Sequence, residues 1–246
     1  MTYQIGHFSL RFALDGKLEQ LSWHNLPGFL YEADERFELA PGTSFRVAGW
    51  DECFPTIDPY RQSPVMGELV GTAPQFSQRS GEICQKWQTR QCAVTRRFCG
   101  VPDTGELLLE FEAHNTSSVP CEFVWASHAL FGTTGLQEVR VPDRGCLRGF
   151  GLNGTCTKQF VRTGDPIILV RDDLSIRLRT DQPWWGLWIN RGGWPAARPA
   201  GFGCLGIEAT NTASEVPAGG IVQPGSMFHG TVTIACHHRR ETMTSP

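Results

Sequence analysis

Short runs that alternate apolar and polar residues, each ended by a turn signal, are the feature that most limits the fold of this chain. Residues 8–14 alternate in this way, Asp15-Gly16 follows, and residues 17–23 alternate again. An Asp-Gly pair between two alternating segments is a strong signal for a β-hairpin. No segment keeps a 3.6-residue apolar period for three turns, so the pattern predicts strands rather than helices.

Turn-forming residues are frequent throughout the chain. Gly (27) and Pro (16) together make up 43 of the 246 residues, above the share of about 12% in an average protein. Because no helical segments separate the alternating runs, we expect roughly ten to fifteen antiparallel strands in a sandwich or a barrel, between which the pattern does not decide. The absence of a recognisable linker or repeat predicts one domain over residues 1–246. Beyond the hairpin, predicted strands cover residues 85–98 (one strand or two), 106–113, 121–131, 166–170, 174–179, 184–190, 203–208 and 227–235.

The charge of the chain argues against nucleic acid as a partner. The net charge is −3, so no general attraction to a phosphate backbone is expected. The basic run His237-His238-Arg239-Arg240 is more typical of a solvated tail than of a nucleic-acid or membrane anchor. The first residues lack the features of a signal peptide, and no apolar stretch approaches transmembrane length. We therefore expect a cytoplasmic protein with no membrane partner.

The nine cysteines are spread along the chain and include no CxxC pair. Structural zinc sites are built from closely spaced cysteine pairs, so no metal site is predicted. We interpret the cysteines as buried thiols in a reducing compartment.

Two adjacent carboxylates, Asp51 and Glu52, stand between a tryptophan and a Cys-Phe-Pro segment. If this segment is a strand, neighbouring side chains face opposite sides and one of the two carboxylates points inward. Burial of a carboxylate is costly unless the group is paired or hydrogen-bonded. The segment is therefore either a solvated turn before Pro55 or the source of a carboxylate that holds sugar-like hydroxyls.

A histidine and a glutamate lie within or at the end of apolar strands. His128 lies inside residues 125–131, where an imidazole can act as acid or base or can be a hydrogen-bonded core residue. Glu208 ends the apolar run that starts at residue 203, where a carboxylate can be a catalytic base or a surface residue at a strand end.

Four tryptophans fall between residues 183 and 194, in the segment that also contains Asn190. Indole rings pack against apolar faces such as the C–H faces of sugars, while their N–H groups find polar partners. The cluster is equally compatible with core packing and with a sugar-binding surface that includes Trp188.

Taken together, these stretches resemble the galactose mutarotase-like superfamily, which contains the aldose 1-epimerases and hexose-phosphate epimerase relatives. Residues 49–55 are similar to the Gly-Gly-x-Pro-x-Cys-Phe-Pro segment of the hexose-phosphate branch. Residues 111–117, followed by 125–131, resemble the family's Asn-x-Ser and His-x-x-Phe stretches. Leu187-Trp-Ile-Asn190, followed by Leu205-Gly-Ile-Glu208, resembles the closing strand pair that delivers the family's glutamate. The resemblance covers roughly residues 5–235 in collinear order.

The resemblance implies an all-β antiparallel supersandwich with an open sugar site on one face, and a small sugar as the partner. Glu208 would take the proton from the anomeric hydroxyl and His128 would protonate the ring oxygen, a reaction that needs no cofactor. Residues that would line the sugar site are Trp188, Asn190 and one of Asp51 and Glu52, with Arg46 and Arg90 as the cationic candidates.

Two departures from the family pattern bear on function. Met66 stands where the family usually carries a second histidine, and a thioether cannot carry a proton. Either His128 acts alone, or His114 or Arg90 substitutes, or the protein binds sugar without turning it over. Arg46 lies one residue before the position of the arginine in sugar-phosphate members, so in a strand it faces the other way and no phosphorylated substrate is assumed.

The preferred hypothesis is thus an aldose 1-epimerase acting on a free or modified sugar. The first alternative is a carbohydrate-binding or sensing protein on the same fold without catalysis. A lyase acting on an acidic sugar is disfavoured by the low number of tyrosines, three in all. The last alternative is a structural β-sandwich without a sugar site.

Overall fold

Strands account for all the regular secondary structure in the computed structural model, which describes residues 1–34, 36–40, 43–195 and 202–239. These residues form twenty-one strands and no helix. The strands are β1 (Thr2–Ile5), β2 (Phe8–Phe12), β3 (Leu18–Trp23), β4 (Arg36–Ala40), β5 (Thr43–Arg46), β6 (Trp50–Cys53), β7 (Gln75–Arg79), β8 (Glu82–Gln88), β9 (Cys92–Gly100), β10 (Leu107–Asn115), β11 (Cys121–Glu122), β12 (Ala126–Gly132), β13 (Leu136–Val141), β14 (Gly145–Leu147), β15 (Thr155–Arg162), β16 (Ile167–Arg171), β17 (Leu174–Thr180), β18 (Trp184–Arg191), β19 (Gly203–Thr210), β20 (Ile221–Val222) and β21 (Met227–His238).

Most of these strands belong to two large sheets. The eight-stranded sheet has the order β1-β2-β3-β6-β12-β19-β18-β15. The nine-stranded sheet has the order β14-β13-β16-β17-β21-β10-β9-β8-β7. The pairs β4-β5 and β11-β20 form two small ribbons. All paired strands run antiparallel, as predicted.

The two large sheets share one apolar core. Along β9 and β10 every second residue is buried, as expected for strands that cover a core with one face. Phe12 from the eight-stranded sheet meets Phe98 from the nine-stranded sheet with ring centroids 5.5 Å apart. The alternatives left open by the sequence are therefore resolved in favour of a sandwich, in which each sheet covers the apolar face of the other.

Most of the long alternating segments were predicted correctly, but residues 121–131 form two strands, β11 and β12, in different sheets, and the predicted number of strands was wrong. The hairpin at Asp15-Gly16 joins β2 and β3, and residues 85–98 belong to two strands, β8 and β9. The expectation of ten to fifteen strands was too low because short or exposed strands such as β7 and β14 carry no apolar alternation. The basic run was also misjudged in part: His237 and His238 end β21 rather than forming a tail, while Arg240 lies outside the described residues.

All nine cysteines are free thiols, but not all are buried as expected. Cys146 is exposed on β14, and Cys99 and Cys156 are half-buried. Six others lie in the interior, where an apolar thiol packs like a small hydrophobic residue. Over the described ranges, no cluster of His, Cys, Asp and Glu has the geometry of a metal site. Nor does any helix in those ranges reach the length and apolar character needed to cross a membrane.

Candidate functional site

The register of the eight-stranded sheet brings the predicted acid–base residues together. His128 on β12 lies directly opposite Glu208 on β19, and on its other side opposite Asp51 on β6. Directly opposed residues of antiparallel strands project from the same face, so these three side chains share one face of the sheet. Ser127 and Glu52, one position away, project into the shared core instead. The acid–base residues therefore lie on the outer face of the sandwich.

A pocket of about 290 Å³ opens on this outer face. The four neighbouring strands β12, β19, β18 and β15 supply its floor, and the segment around Met66 and a loop after β19 supply part of its wall. It combines apolar and aromatic walls with several ionisable groups, the combination expected of a site for a small polar molecule. Its lining consists of Phe45, Val47, Ile57, Asp58, Val65, Met66, His128, Cys156, Lys158, Trp188, Trp194, Glu208 and Glu215.

Glu208 is the deepest ionisable group of the pocket, with no exposed surface. Lys158 Nζ lies 3.0 Å from its Oε2, and His128 Nε2 lies 3.5 Å from its Oε1. Neither contact is aligned as a hydrogen bond, so both carboxylate oxygens lack a hydrogen-bond donor. Burial by itself raises the pKa of Glu208, but the charges of Lys158 and His128 outweigh burial and hold the pKa below its ordinary value. The carboxylate is ionised and ready to accept a hydrogen bond or a proton.

A glycine opposite Glu208 makes room for this carboxylate. Gly186 on β18 pairs with Glu208, and a Cβ atom at Gly186 would lie 3.1 Å from Glu208 Oε2. Such a contact is closer than ordinary van der Waals separation, so a larger residue at this position would displace the carboxylate. The cross-strand pair therefore fixes the position of the glutamate side chain.

His128 is largely buried beside Glu208. Burial lowers the pKa of its imidazole, and Lys158 adds to this effect, while the negative charge of Glu208 opposes it. The net result is a pKa below the ordinary value, so the imidazole is mostly neutral at pH 7. Its Nδ1 atom is buried and has no hydrogen-bond partner among the described residues. One ring nitrogen thus faces the carboxylate and the other has unused hydrogen-bonding capacity.

Lys158 is one of the pocket residues that the sequence analysis did not identify. It lies on β15 opposite Trp188, and its ammonium contacts the carboxylates of Glu208 and Glu215. Burial lowers the pKa of this lysine, but the two carboxylates outweigh burial and raise the pKa above its ordinary value. The lysine is therefore charged. β15 was not predicted, because only one of its eight residues is buried and the segment shows no clear apolar alternation.

Asp58 and Glu215 form the acidic side of the pocket. The backbone N–H groups of Ile57 and Asp58 donate to the carbonyl oxygen of Glu215 at 3.0 and 2.9 Å, which fastens the two loops together. Burial and the neighbouring charge of Glu215 raise the pKa of Asp58. Neither residue belongs to a strand or a recognisable motif, so no signal in the sequence could have indicated them.

Met66 lines the pocket, at the position where the family resemblance places a histidine. It lies in a turn rather than in a strand, with a left-handed backbone (φ 65°). Its thioether is 3.9 Å from the thiol of Cys53. A left-handed backbone conformation is uncommon for a residue other than glycine. The turn places the Met66 thioether, which cannot carry a proton, in this wall of the pocket.

The two adjacent carboxylates have different surroundings, as alternation along a strand requires. Glu52 points into the core, where it accepts hydrogen bonds from Trp125 Nε1 (2.8 Å) and Ser127 Oγ (3.0 Å) and lies 3.4 Å from Arg96. Burial raises its pKa to about 7 although these partners oppose the shift. Asp51 shares the face of His128 but is ion-paired with Lys17 and does not line the pocket. The inward-pointing carboxylate is therefore Glu52, which is separated from the pocket by the sheet.

Three cationic candidates are not brought to the pocket. Arg46 is ion-paired with Glu19 at a separate cavity. Arg90 lies in the turn between β8 and β9, where it is bound to Glu68. His114 is exposed on β10, in the other large sheet. None of the three occupies the place of the missing histidine.

Asn190 and the tryptophans are divided between structural and pocket positions. Asn190 is fully buried and hydrogen-bonded to the backbone of the following turn, at Gly192 and Trp194, rather than lining the pocket. Trp188 and Trp194 line the pocket, with ring centroids 5.6 Å apart. Trp185 projects into the core. Strand alternation thus places Trp185 in the core and Trp188 in the pocket lining.

No protein-family model matches the chain, and no curated protein matches it. Solved structures do match over nearly the whole length. They include the Slr1438 protein from Synechocystis sp. PCC 6803 (14% identity, TM-score 0.70, 97% of this chain and 96% of that one). A galactose mutarotase-like protein from Lactobacillus casei ATCC 334 (14%, 0.68, 96% and 99%) and a galactose 1-epimerase from Lactobacillus acidophilus NCFM (13%, 0.61, 96% and 93%) are also similar. At these identities the likeness concerns the fold, and the chain has the galactose mutarotase-like sandwich fold.

Proposed function

We propose that this protein is an aldose 1-epimerase, which interconverts the two anomers of a sugar. The observation that carries the proposal is the pair formed by Glu208 and His128 in an open pocket. The carboxylate is buried and ionised, and both of its oxygens lack a hydrogen-bond donor. The ion pair with Lys158 balances the charge of Glu208, and a sugar hydroxyl would supply the aligned hydrogen bond that its oxygens can still accept.

The reaction requires two proton transfers at oxygens bonded to one carbon. Glu208 takes the proton from the anomeric hydroxyl, the bond between C1 and the ring oxygen breaks, and His128 gives a proton to the ring oxygen. Rotation about the C1–C2 bond presents the other face of the aldehyde, and the reverse transfers close the ring. The two side chains are 3.5 Å apart, close enough to serve two oxygens on the same carbon.

Met66 cannot supply the positive charge that a protonated histidine would bring to this wall of the pocket. Lys158 supplies a positive charge instead. Its ammonium stabilises the ionised form of Glu208 from the side away from His128. His128 then acts as the only acid of the pair. Trp188 and Trp194 offer indole surface on which the C–H face of a sugar ring can pack.

Anomer exchange measured by NMR saturation transfer tests the proposal. We expect the wild type to accelerate exchange of at least one common aldose. Glu208→Gln should lower the acceleration by a factor of about 10² or more, as expected for loss of a positioned base. Glu82→Gln on β8, in the other sheet, is the matched control and should retain wild-type activity. No acceleration of any aldose by the wild type, or full activity in Glu208→Gln, would contradict the proposal.

The second candidate is a sugar-binding protein without catalysis. Two observations favour it: Met66 in the pocket wall, and an ion pair with Lys158 that holds the carboxylate of Glu208. Calorimetric titration distinguishes the two candidates, because a binding protein would show saturable sugar binding in samples that give no rate enhancement.

A further inference from the structure

The charges around the pocket are unbalanced. Among the described lining residues, three carboxylates (Asp58, Glu208 and Glu215) stand against the single ammonium of Lys158. His128 is mostly neutral at pH 7, since burial lowers its pKa. The described lining thus has a formal charge of −2 when all three carboxylates are ionised. A negative pocket attracts cationic ligands and repels anionic ones.

The imbalance is concentrated at Asp58. Glu208 and Glu215 both contact Lys158, whereas the Asp58 carboxyl forms no direct ion pair among the described residues, and the more distant charge of Lys158 only partly opposes the rise of its pKa. Its main charged neighbour is Glu215, another carboxylate, to which it is hydrogen-bonded. The backbone hydrogen bonds between the two loops, at 2.9 and 3.0 Å, keep these like charges side by side. Such an arrangement costs free energy in the empty pocket and is relieved by a bound cation.

The deep end of the same pocket indicates that a ligand enters it. Glu208 has no exposed surface, yet both of its oxygens lack a hydrogen-bond donor, and the buried Nδ1 of His128 has no partner. Buried polar atoms are normally satisfied, so these atoms point to a polar ligand. The ligand would therefore meet hydrogen-bonding groups at the deep end and the Asp58–Glu215 pair nearer the opening.

The described lining contains no arginine that could hold a phosphate or a carboxylate of a sugar. Arg46 is engaged with Glu19 and Arg90 with Glu68, both outside the pocket. An anionic substituent would have to share the one ammonium of Lys158 with two carboxylates that already contact it.

We propose that this pocket selects an aldose carrying a protonated amino group over neutral and anionic aldoses, with Asp58 and Glu215 receiving the ammonium. The identity of the ligand as a sugar rests on the proposed function, whereas the selectivity rests on the charges of the described lining. Ammonium groups form charge-assisted hydrogen bonds with carboxylates, which are stronger than those between neutral groups.

Binding of methyl glycosides tests the selectivity without requiring catalysis, because a methyl glycoside cannot open its ring. The probes are the 2-amino and 6-amino derivatives of methyl glucoside and methyl galactoside, the parent glycosides, the N-acetyl derivatives and the uronates. We expect at least one amino derivative to bind about tenfold more tightly than its parent, the order of one charge-assisted hydrogen bond. The N-acetyl derivative should lose this gain, and the uronate should bind more weakly than the parent.

Asp58→Asn tests the residue assignment. We expect the ratio of amino-sugar affinity to parent-sugar affinity to fall by about fivefold in this variant. In the wild type the same ratio should fall when the salt concentration is raised, because partly exposed charges are screened. Asp165→Asn, which removes an exposed carboxylate outside the pocket, is the matched control and should leave the ratio unchanged. Equal or weaker binding of all the amino derivatives relative to their parents would overturn the inference, even if anomer exchange is accelerated. Preferential amino-sugar binding without any accelerated exchange would instead contradict only the proposed function.

Discussion

At the scale of single residues, the site depends on charges that are set by neighbouring side chains rather than by solvent. Glu208 is fully buried, and its pKa is nevertheless low because Lys158 and His128 outweigh the effect of burial. His128 has a lowered pKa for the opposite reason, since burial exceeds the attraction of Glu208. The base and the acid of the proposed reaction therefore both titrate below pH 6.5, the ordinary pKa of histidine.

These two pKa directions predict an acidic pH optimum for anomer exchange. The reaction requires Glu208 to be ionised and His128 to be protonated. The pKa of Glu208 is below 4.5, so this carboxylate is ionised above that pH. The pKa of His128 is below 6.5, so its proton is lost as the pH rises through that lower value. We expect kcat/KM for a neutral aldose to be highest on the acid side of pH 6.5 and to fall about tenfold per pH unit above it. NMR exchange rates between pH 4 and pH 9 would measure the profile. A rate that rises between pH 6 and pH 8 would contradict the assignment of His128 as the acid.

Lys158 provides the second prediction at this scale. Removing one partner of a buried ion pair leaves an uncompensated charge, which costs about 3 kcal/mol. We expect Lys158→Met to lower the free energy of unfolding at pH 7 by about this amount in urea titrations, because Glu208 would remain buried without its cation. Combining it with Glu208→Gln should recover most of this loss of stability. Lys86→Met, at an exposed position of β8, is the control and should change the free energy of unfolding little. Additive effects of the two substitutions would show that the residues do not interact.

At the scale of elements, strand alternation decides which of two neighbouring residues reaches the site. On β19, Ile207 projects into the core and Glu208 onto the outer face, and on β6 Glu52 projects inward while Asp51 projects outward. The family resemblance correctly implied that the segments forming β18 and β19 pair with each other. It did not reveal β15, whose half-buried residues lack a periodic pattern.

The close approach of the two sheets predicts the effect of a small substitution in β21. A Cβ atom added at Gly230 would lie 2.5 Å from the ring of Trp125, which is fully buried. We expect Gly230→Ala to lower the free energy of unfolding by about 1–3 kcal/mol, the usual cost of overpacking a core. Gly164→Ala, where nothing lies within 4 Å, is the matched control. Equal stability of the two variants in urea titrations would show that the core accommodates the methyl group.

At the scale of the whole molecule, a buried ion pair joins the two sheets. Glu52 on β6 lies 3.4 Å from Arg96 on β9, and both side chains are almost completely buried. Arg96 also donates a hydrogen bond to Gln85 Oε1 at 2.7 Å. The interface between the sheets therefore contains a polar cluster within a largely apolar core.

The titration of Glu52 predicts a pH dependence of stability. Burial raises its pKa to about 7, so the folded protein holds a proton that the unfolded chain releases near pH 4.5. The contribution of this proton is fully present below about pH 4.5 and is lost as pH rises through about 7. We expect the stability of Glu52→Gln relative to wild type to increase by about 3 kcal/mol between pH 4.5 and pH 8 in urea titrations. A constant difference across this range would show that the pKa of Glu52 is not raised.

Several properties of the molecule remain predictions from sequence. They include the single domain over residues 1–246, the cytoplasmic location, and the roles of the site residues. The alternating runs made an all-β antiparallel sandwich or barrel predictable because alternation and turn chemistry act over a few neighbouring residues, and the family resemblance implied the sandwich. The resemblance led to Glu208 and His128, which the register then placed opposite each other. It also suggested Arg46, Arg90 and Asn190, which the structure places outside the pocket lining.

What the sequence by itself determined is the all-β class, because alternation and turn chemistry are local patterns, while its resemblance to a family indicated the candidate pair. Only the tertiary structure decided the surroundings of that pair. Lys158, Asp58 and Glu215 are far apart in the chain and meet because strand order and loop contacts bring them together. The charge of Lys158 holds the pKa of Glu208 low, and the proposed selectivity depends on Asp58 and Glu215. Both effects depend on distances between residues that no local pattern records.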